Sequence, residues 1–438
     1  MSSEWPTVRL GDHVDSCLGK MLDVKKNKGT PQPYLGNSNV RWGEFNLADL
    51  AQMRFEADEE ERYGLRPGDL VVCEGGEPGR CAIWNGAAGM KFQKALHRIR
   101  PKSTFNNYYL FSWFCHAARA GQLDAHFTGT TIKHLTGKAV AELRVPLPPL
   151  GAQQAMVDVL KPLDDRIALL RDTNATLEAI AQSLFKSWFV DFDPVRAKSQ
   201  GLAPAGMDEA TAALFPAGFE ESAQGPLPKG WRFAPVGEVV EGIYDGPHAT
   251  PPESEEGPVF LGIKNLTGTG LDFGEVRHIA ESDFGQWTRR VLPAAGDIVF
   301  SYEATLGFFA LVPPGLRCCL GRRLALIRPR PNAADGHFFF HQFIAAPFQR
   351  LLERHTIQGA TVNRIALKHF PTYPVMDPPP EVKAAFDATV APIWARIHAN
   401  QAQAQSLTRI RDTLLPRLIS GQIRLPEATP EAGLALAN

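Results

Sequence analysis

LGAQQAMVDVLKPLDDRIALLRDTNATLEAIAQSLFKSWFV, residues 150–190, decides how the rest of the chain is read. Its apolar residues recur at Met156, Leu160, Leu163, Ile167, Leu170, Leu177, Ala181, Leu184 and Trp188, and Asn174 takes one place in the series. The steps alternate four and three without a break, which is the seam of a long helix built to meet another helix. At 1.5 Å per residue such a helix is about 55–60 Å long, and it cannot hide its seam alone in water. Phe386, Val390, Ile393, Ile397, Asn400, Ala404, Leu407, Arg411, Leu414 and Leu418 repeat the series, with Asn400 and Arg411 as polar interruptions. Pro162 and Pro392 fall at the same place in both patterns, where proline is expected to start or kink a helix.

The second seam is part of a duplication of the chain. Trp5 and Trp231 open matching stretches 226 residues apart, and YLGNSNV (34–40) matches FLGIKNL (260–266) at that offset. RPGDLVV (66–72) matches AAGDIVF (294–300), and HRIRP (97–101) matches ALIRP (325–329), both at 228. GTTIKHL (129–135) matches GATVNRI (359–365) at 230. Before each helix lie Gly- and Pro-punctuated β-type runs with interspersed helical stretches, the pattern of a compact α+β domain. The expected fold is therefore α+β with two pseudo-symmetric halves, each a globular domain followed by a long helix, the helices pairing as an antiparallel coiled coil. Residues 191–228 are rich in Pro, Gly and Ala and long enough to run back along such a rod. The expected boundaries are domain 1–149, helix 150–190, connector 191–228, domain 229–377, helix 378–423 and flexible tail 424–438.

Composition excludes some classes. Of 438 residues, 44% are hydrophobic and 21% charged, and the net charge is −1, so a nucleic-acid surface would have to be local. Six cysteines show no C-x-x-C pair and no metal-ligand spacing, and read as thiols of a reducing compartment. No signal core and no 18-residue apolar run occurs, which points to a cytoplasmic protein.

The stretches PLPPLGAQQAMVDVLKPLDDRIALL and LFKSWFVDFDPVRAK, with GDIVFSYEATLG and LLPRLISGQI, resemble the specificity subunit of type I restriction–modification enzymes. The resemblance covers essentially the whole chain. It implies two target-recognition domains that each read one half of a split DNA sequence, and two helices that set the gap between the half-sites. It also implies a non-catalytic subunit that binds double-stranded DNA, two modification (adenine methyltransferase) subunits and restriction (translocase/nuclease) subunits. S-adenosylmethionine, ATP and Mg are then expected on the partners only, with no cofactor or metal on this chain.

Chemistry narrows the candidate DNA contacts. Lys20, Lys25, Lys26 and Lys28 form one basic stretch, and Arg317, Arg322, Arg323, Arg328 and Arg330 another without an intervening acid; both suit phosphate contact. Arg328 and Arg330 are expected to decorate a strand edge. Thr130, Thr131, Lys133 and His134 correspond to Ala360, Thr361, Asn363 and Arg364, and Ser38 and Asn39 to Lys264 and Asn265. These pairs differ chemically, as two heads reading different bases should, because Asn suits adenine and Lys or Arg guanine. The alternative is that Gly129 and Gly359 mark turns and the polar residues cap helices. The loops CEGGEPG (73–79) and SYEATLG (301–307) also correspond, and Tyr302 is a candidate for stacking or for a structural strand end. The acidic run EADEEE (56–61) is expected to be a solvated face turned away from DNA. Leu184, Phe185, Trp188, Phe189 and Phe192 exceed what one seam buries; docking of a modification subunit and packing on the connector are both open.

Two other functions compete. MDPPP (376–380) suggests the Asp-Pro-Pro-aromatic grip of an amino-directed DNA methyltransferase, but Pro380 has no ring to stack and no cofactor loop follows a strand. MDPPP corresponds to VPLPPL (145–150), a stiff exit before a helix, which makes Asp377 a hinge or helix-start residue. The other competitor is a structural adaptor that spaces two non-DNA binding domains with a coiled coil.

Overall fold

The computed structural model describes residues 5–23, 27–129, 132–222, 224–331, 333–359 and 361–426. The expected contacts Lys25, Lys26, Thr130 and Thr131, and most of the expected tail, lie outside the described residues. The chain forms two compact units, Met1–Ala168 with Ser406–Asn438, and Leu169–Gln405. Each unit takes part of both long helices. No helix among the described residues is long and apolar enough to cross a membrane.

In the first unit, Val14–Leu18, Leu96–Pro101, Leu70–Cys73 and Cys81–Ile83 form a four-stranded antiparallel sheet in that order. Ala51–Phe55 pairs antiparallel with Thr30–Leu35, which pairs parallel with Lys91–Phe92. Thr7–Arg9 pairs with Arg144–Pro146, so the two ends of the head meet. The run LVVC lies between two cores, which explains its continuous apolarity. Leu70 and Val72 face one cluster with Phe105 and Tyr109, and Val71 and Cys73 face another with Leu35 and Phe92.

The second unit repeats this plan. Val240–Asp245, Leu324–Pro329, Ile298–Ser301 and Phe309–Leu311 form the four-stranded sheet. Arg277–His278, Ser254–Leu261 and Cys318–Leu320 form the three-stranded one, again with one parallel pair. Arg232–Pro235 pairs with Pro374–Asp377. IVFS divides between two cores as LVVC does, with Ile298 and Phe300 in one and Val299 in the other.

The repeat extends to the devices that hold each head. Asp69 accepts from Arg66 N and takes a two-pronged pair from Arg100, both at 2.7 Å. Asp297 accepts from Ala294 N and takes the same fork from Arg328 at 2.9 and 2.6 Å. Arg328 is therefore a structural cation of the sheet and not edge decoration, and Arg330 reaches the Glu238 carbonyl.

The long helices run Leu150–Phe189 and Pro380–Ser420. Both start twelve residues before Pro162 and Pro392, so these prolines lie inside and do not begin the helices. Each proline forfeits one backbone hydrogen bond, a cost of about 3 kcal/mol that burial of the seam outweighs. In the second unit Asn174 meets Asn400, and further along Phe185 meets Phe386, so residue numbers rise on one helix as they fall on the other. In the first unit Arg411 reaches Asp164 at 2.7 Å, and Met156 and Leu160 share a core with Leu415 and Leu418. Asp377 ends its strand and is bound by Arg232 and Lys383, a helix-start clasp with no free carboxylate. The connector is not featureless: it contains helices Asp193–Ser199 and Glu209–Ala213 and the hairpin Phe219–Ser222 with Gly225–Pro228.

Candidate nucleic-acid interface

Three loops meet at one edge of each head through the same chain of backbone hydrogen bonds. In the first head Glu74 N donates to Ala95 O at 2.8 Å, and Leu135 N donates to Glu74 O at 2.7 Å. In the second, Tyr302 N donates to Arg323 O at 3.1 Å, and Ile365 N donates to Tyr302 O at 2.8 Å. The loop after the LVVC or IVFS strand is thus held between a tight turn (93–95 or 321–323) and a hairpin (128–134 or 357–364). The Ser38 and Lys264 loops join the same edge, since Gln93 N donates to Leu35 O and Gly321 N to Leu261 O. The structure therefore brings together four segments that are far apart in sequence, of which sequence reasoning had singled out three in the first head and all four in the second.

The hairpin tips have one geometric requirement in common. A Cβ on Gly129 would lie 2.2 Å from the Ile132 carbonyl, and one on Gly359 2.2 Å from that of Val362. Glycine at these places lets the chain reverse tightly. Lys133 is exposed over the Phe127 ring at 5.7 Å, and Thr361 and Arg364 are exposed. His134 and Asn363 are half-buried, and Asn363 also accepts from Ala304 N through its carbonyl.

Several expected contacts are occupied elsewhere. Lys20 is 3% exposed, bonded to the Arg54 carbonyl and to Glu59 at 2.5 Å, so it cannot reach a phosphate. Glu59 and Glu60 are accordingly not an idle solvated face, because they pair with the buried Lys20 and Lys91. Asn39 accepts from Gly36 N and donates to the Asn46 and Asp49 carbonyls. Asn265 does the same with Gly262 N, Asp272 and Glu275. Both asparagines fold their loops and leave Ser38 and Lys264 as the exposed members of their pairs. Tyr302 is buried and donates to Asp245 at 2.7 Å; burial and that carboxylate push its phenol well above the ordinary range. It is a strand-end support and not a stacking surface. Arg317 lies over Phe284 and gives two hydrogen bonds to Glu281, and Arg323 stands 3.9 Å from Glu303. Arg322 and Lys28 are exposed.

The helix-exit aromatics are core residues. Phe185, Trp188 and Phe189 are 3–7% exposed and pack on Phe215, Trp231, Phe338 and Phe386. Leu184 and Phe192 are half-buried against the same cluster. The docking reading of these five residues fails, because their own unit covers them.

One exposed cation escaped sequence reasoning. Lys94 stands in the turn of the first head where Arg322 stands in the second, 228 residues on. The offset that aligns HRIRP with ALIRP already places them opposite each other, but Lys94 belongs to no basic run.

Known proteins are similar in sequence and in fold. Residues 2–179 match the family described as the type I restriction modification DNA specificity domain. The chain is similar to type I restriction–modification specificity subunits. The type I restriction enzyme HindI specificity subunit of Haemophilus influenzae is 26% identical over 332 residues, covering 67% of this chain and 72% of that one. The MjaIX specificity subunit of Methanocaldococcus jannaschii is 24% identical over 338 residues, 76% of this chain and 73% of that one. The crystal structure of the type I S subunit from M. genitalium shares the fold at 15% identity, TM-score 0.51, covering 98% of this chain and 97% of that one.

Proposed function

We propose that this chain reads a bipartite duplex sequence, one half-site with each head, and delivers it to modification and restriction subunits that carry the chemistry. The observation that supports this reading is the repeated edge: the same backbone scaffold presents Lys133 and His134 in one head and Asn363 and Arg364 in the other. One scaffold with different polar side chains suits two readers of different base sequences, because base edges are distinguished by their donors and acceptors. No step of methyl transfer or DNA cleavage is assigned to this chain. S-adenosylmethionine, ATP and Mg belong to the partner subunits in this proposal, and the complex works in the cytoplasm.

The test is a mobility shift with the full chain and its co-expressed modification subunit on random and on methylation-site duplex. Salt-sensitive binding that favours the methylation-site duplex is expected. Binding to neither duplex at low salt would favour a structural adaptor.

A further inference from the structure

We propose that Lys94 and Arg322 are equivalent phosphate contacts of the two heads, fixing each head on the duplex without reading its bases. The assignment rests on the DNA-reading function proposed above and gives it a division of labour.

Three observations carry it. The first is placement. Both residues occupy the tight turn held from three sides by matching backbone bonds. Gly19 N donates to Leu96 O and Gly246 N to Leu324 O, both at 3.0 Å, beside the bonds to Leu35 or Leu261 and to Glu74 or Tyr302. A side chain on so constrained a turn has a fixed root, and Arg323 even holds a left-handed φ of 78° there.

The second is availability. Neither the Lys94 nor the Arg322 side chain makes a hydrogen bond or ion pair among the described residues, and both residues are exposed; the Lys94 backbone N donates to Lys20 O at 2.9 Å. Neighbouring cations are committed: Lys20 to Glu59, Lys91 to Glu60, Arg317 to Glu281 and Arg328 to Asp297. An exposed cation whose side chain has no partner among the described residues, on a rigid turn, is left for an external anion.

The third is the pattern of difference. Ser38 becomes Lys264, Lys133 becomes Asn363 and His134 becomes Arg364, whereas positive charge persists at 94 and 322. Groups that read bases must change with the bases. Groups that hold phosphates need not, because every duplex offers the same backbone.

The test uses the full chain co-expressed with its modification subunit and compares Lys94→Ala, Arg322→Ala and the double variant with wild type. Binding to a methylation-site duplex and to a random duplex is measured from 50 to 200 mM salt, and the methylated motif is mapped. Each single variant should weaken both duplexes by the same factor and flatten the log K against log salt slope by about 0.9. The double variant should flatten it by about twice that, with the motif unchanged. Lys94→Arg and Arg322→Lys should keep the wild-type slope. An unchanged slope, or a motif relaxed at one half-site, would overturn the assignment. A wild-type complex without salt-dependent binding would overturn the DNA-reading function and this assignment together.

Discussion

Asn400 donates its side-chain amide to Asn174 Oδ1 at 2.8 Å, inside the paired long helices, where the two residues are 1% and 8% exposed. Asn174 in turn donates to the Ile397 carbonyl at 3.2 Å. Asn174 is the sixth position of its seam and Asn400 the fifth of the other, and the pair can form in only one register of the two helices. Replacing one asparagine by leucine strands the other amide in an apolar seam, at a cost of about 1–3 kcal/mol. The double leucine variant removes both polar groups, so it should be close to wild type or more stable, while losing the register constraint. Urea denaturation of the three variants checks this; a double variant less stable than both singles would contradict it.

The Asp69–Arg100 and Asp297–Arg328 forks are expected to matter more than the exposed pairs. Asp69 is 2% and Asp297 3% exposed, so Arg100→Ala or Arg328→Ala leaves a buried carboxylate without its counter-charge. A loss of about 3–5 kcal/mol is expected for each. Breaking the exposed Arg9–Glu142 pair should leave the stability almost unchanged, because solvent screens it. Denaturant midpoints decide between these outcomes, and equal small losses for all three would show that the forks are not structural.

His341 gives the second head an acid sensitivity. Burial lowers its imidazole to about 4, below the 6.5 of an exposed ring, and its ring nitrogen Nδ1 is bonded to the His337 carbonyl. The folded protein therefore binds fewer protons than the unfolded chain between these values. The stabilisation is complete above about 6.5 and is lost as pH falls toward 4, at up to about 1.4 kcal/mol per pH unit. His341→Gln should flatten the decline of stability between pH 6.5 and 4.5, measured by urea unfolding at each pH. An undiminished decline would assign it to other groups.

The hairpin tips should carry base preference. Arg364→Ala is expected to relax one half-site of the methylated motif and to leave the other unchanged, with about 1–3 kcal/mol of discrimination lost at the affected base. Motif mapping reads this directly, and a uniform loss of methylation with an intact motif would make Arg364 a phosphate contact instead.

The long helices and the duplication were legible because heptad spacing and repeat offsets survive in the order of residues. Every seam position from Met156 to Trp188 is buried or half-buried, as the spacing required. What the order of residues does not show is where a side chain ends. Lys20 lies in a basic stretch yet points inward to Glu59, and Asn39 looks like a base reader yet closes its own loop. Phe185 and Phe189 look surplus to one seam because the surface that covers them, including Phe338 and Phe386, arrives from about 150–200 residues further on. Lys94 was overlooked for the opposite reason: its importance comes from a turn assembled by residues 19, 35 and 74, none adjacent in sequence.

The central claim is that each head reads its own half-site. Replacing residues 231–375 by the corresponding segment of another specificity subunit, followed by genome-wide mapping of methylated adenines, tests it most directly. The account predicts that one half of the split motif changes and the other half, with the gap between them, stays the same. A change in both halves would contradict it.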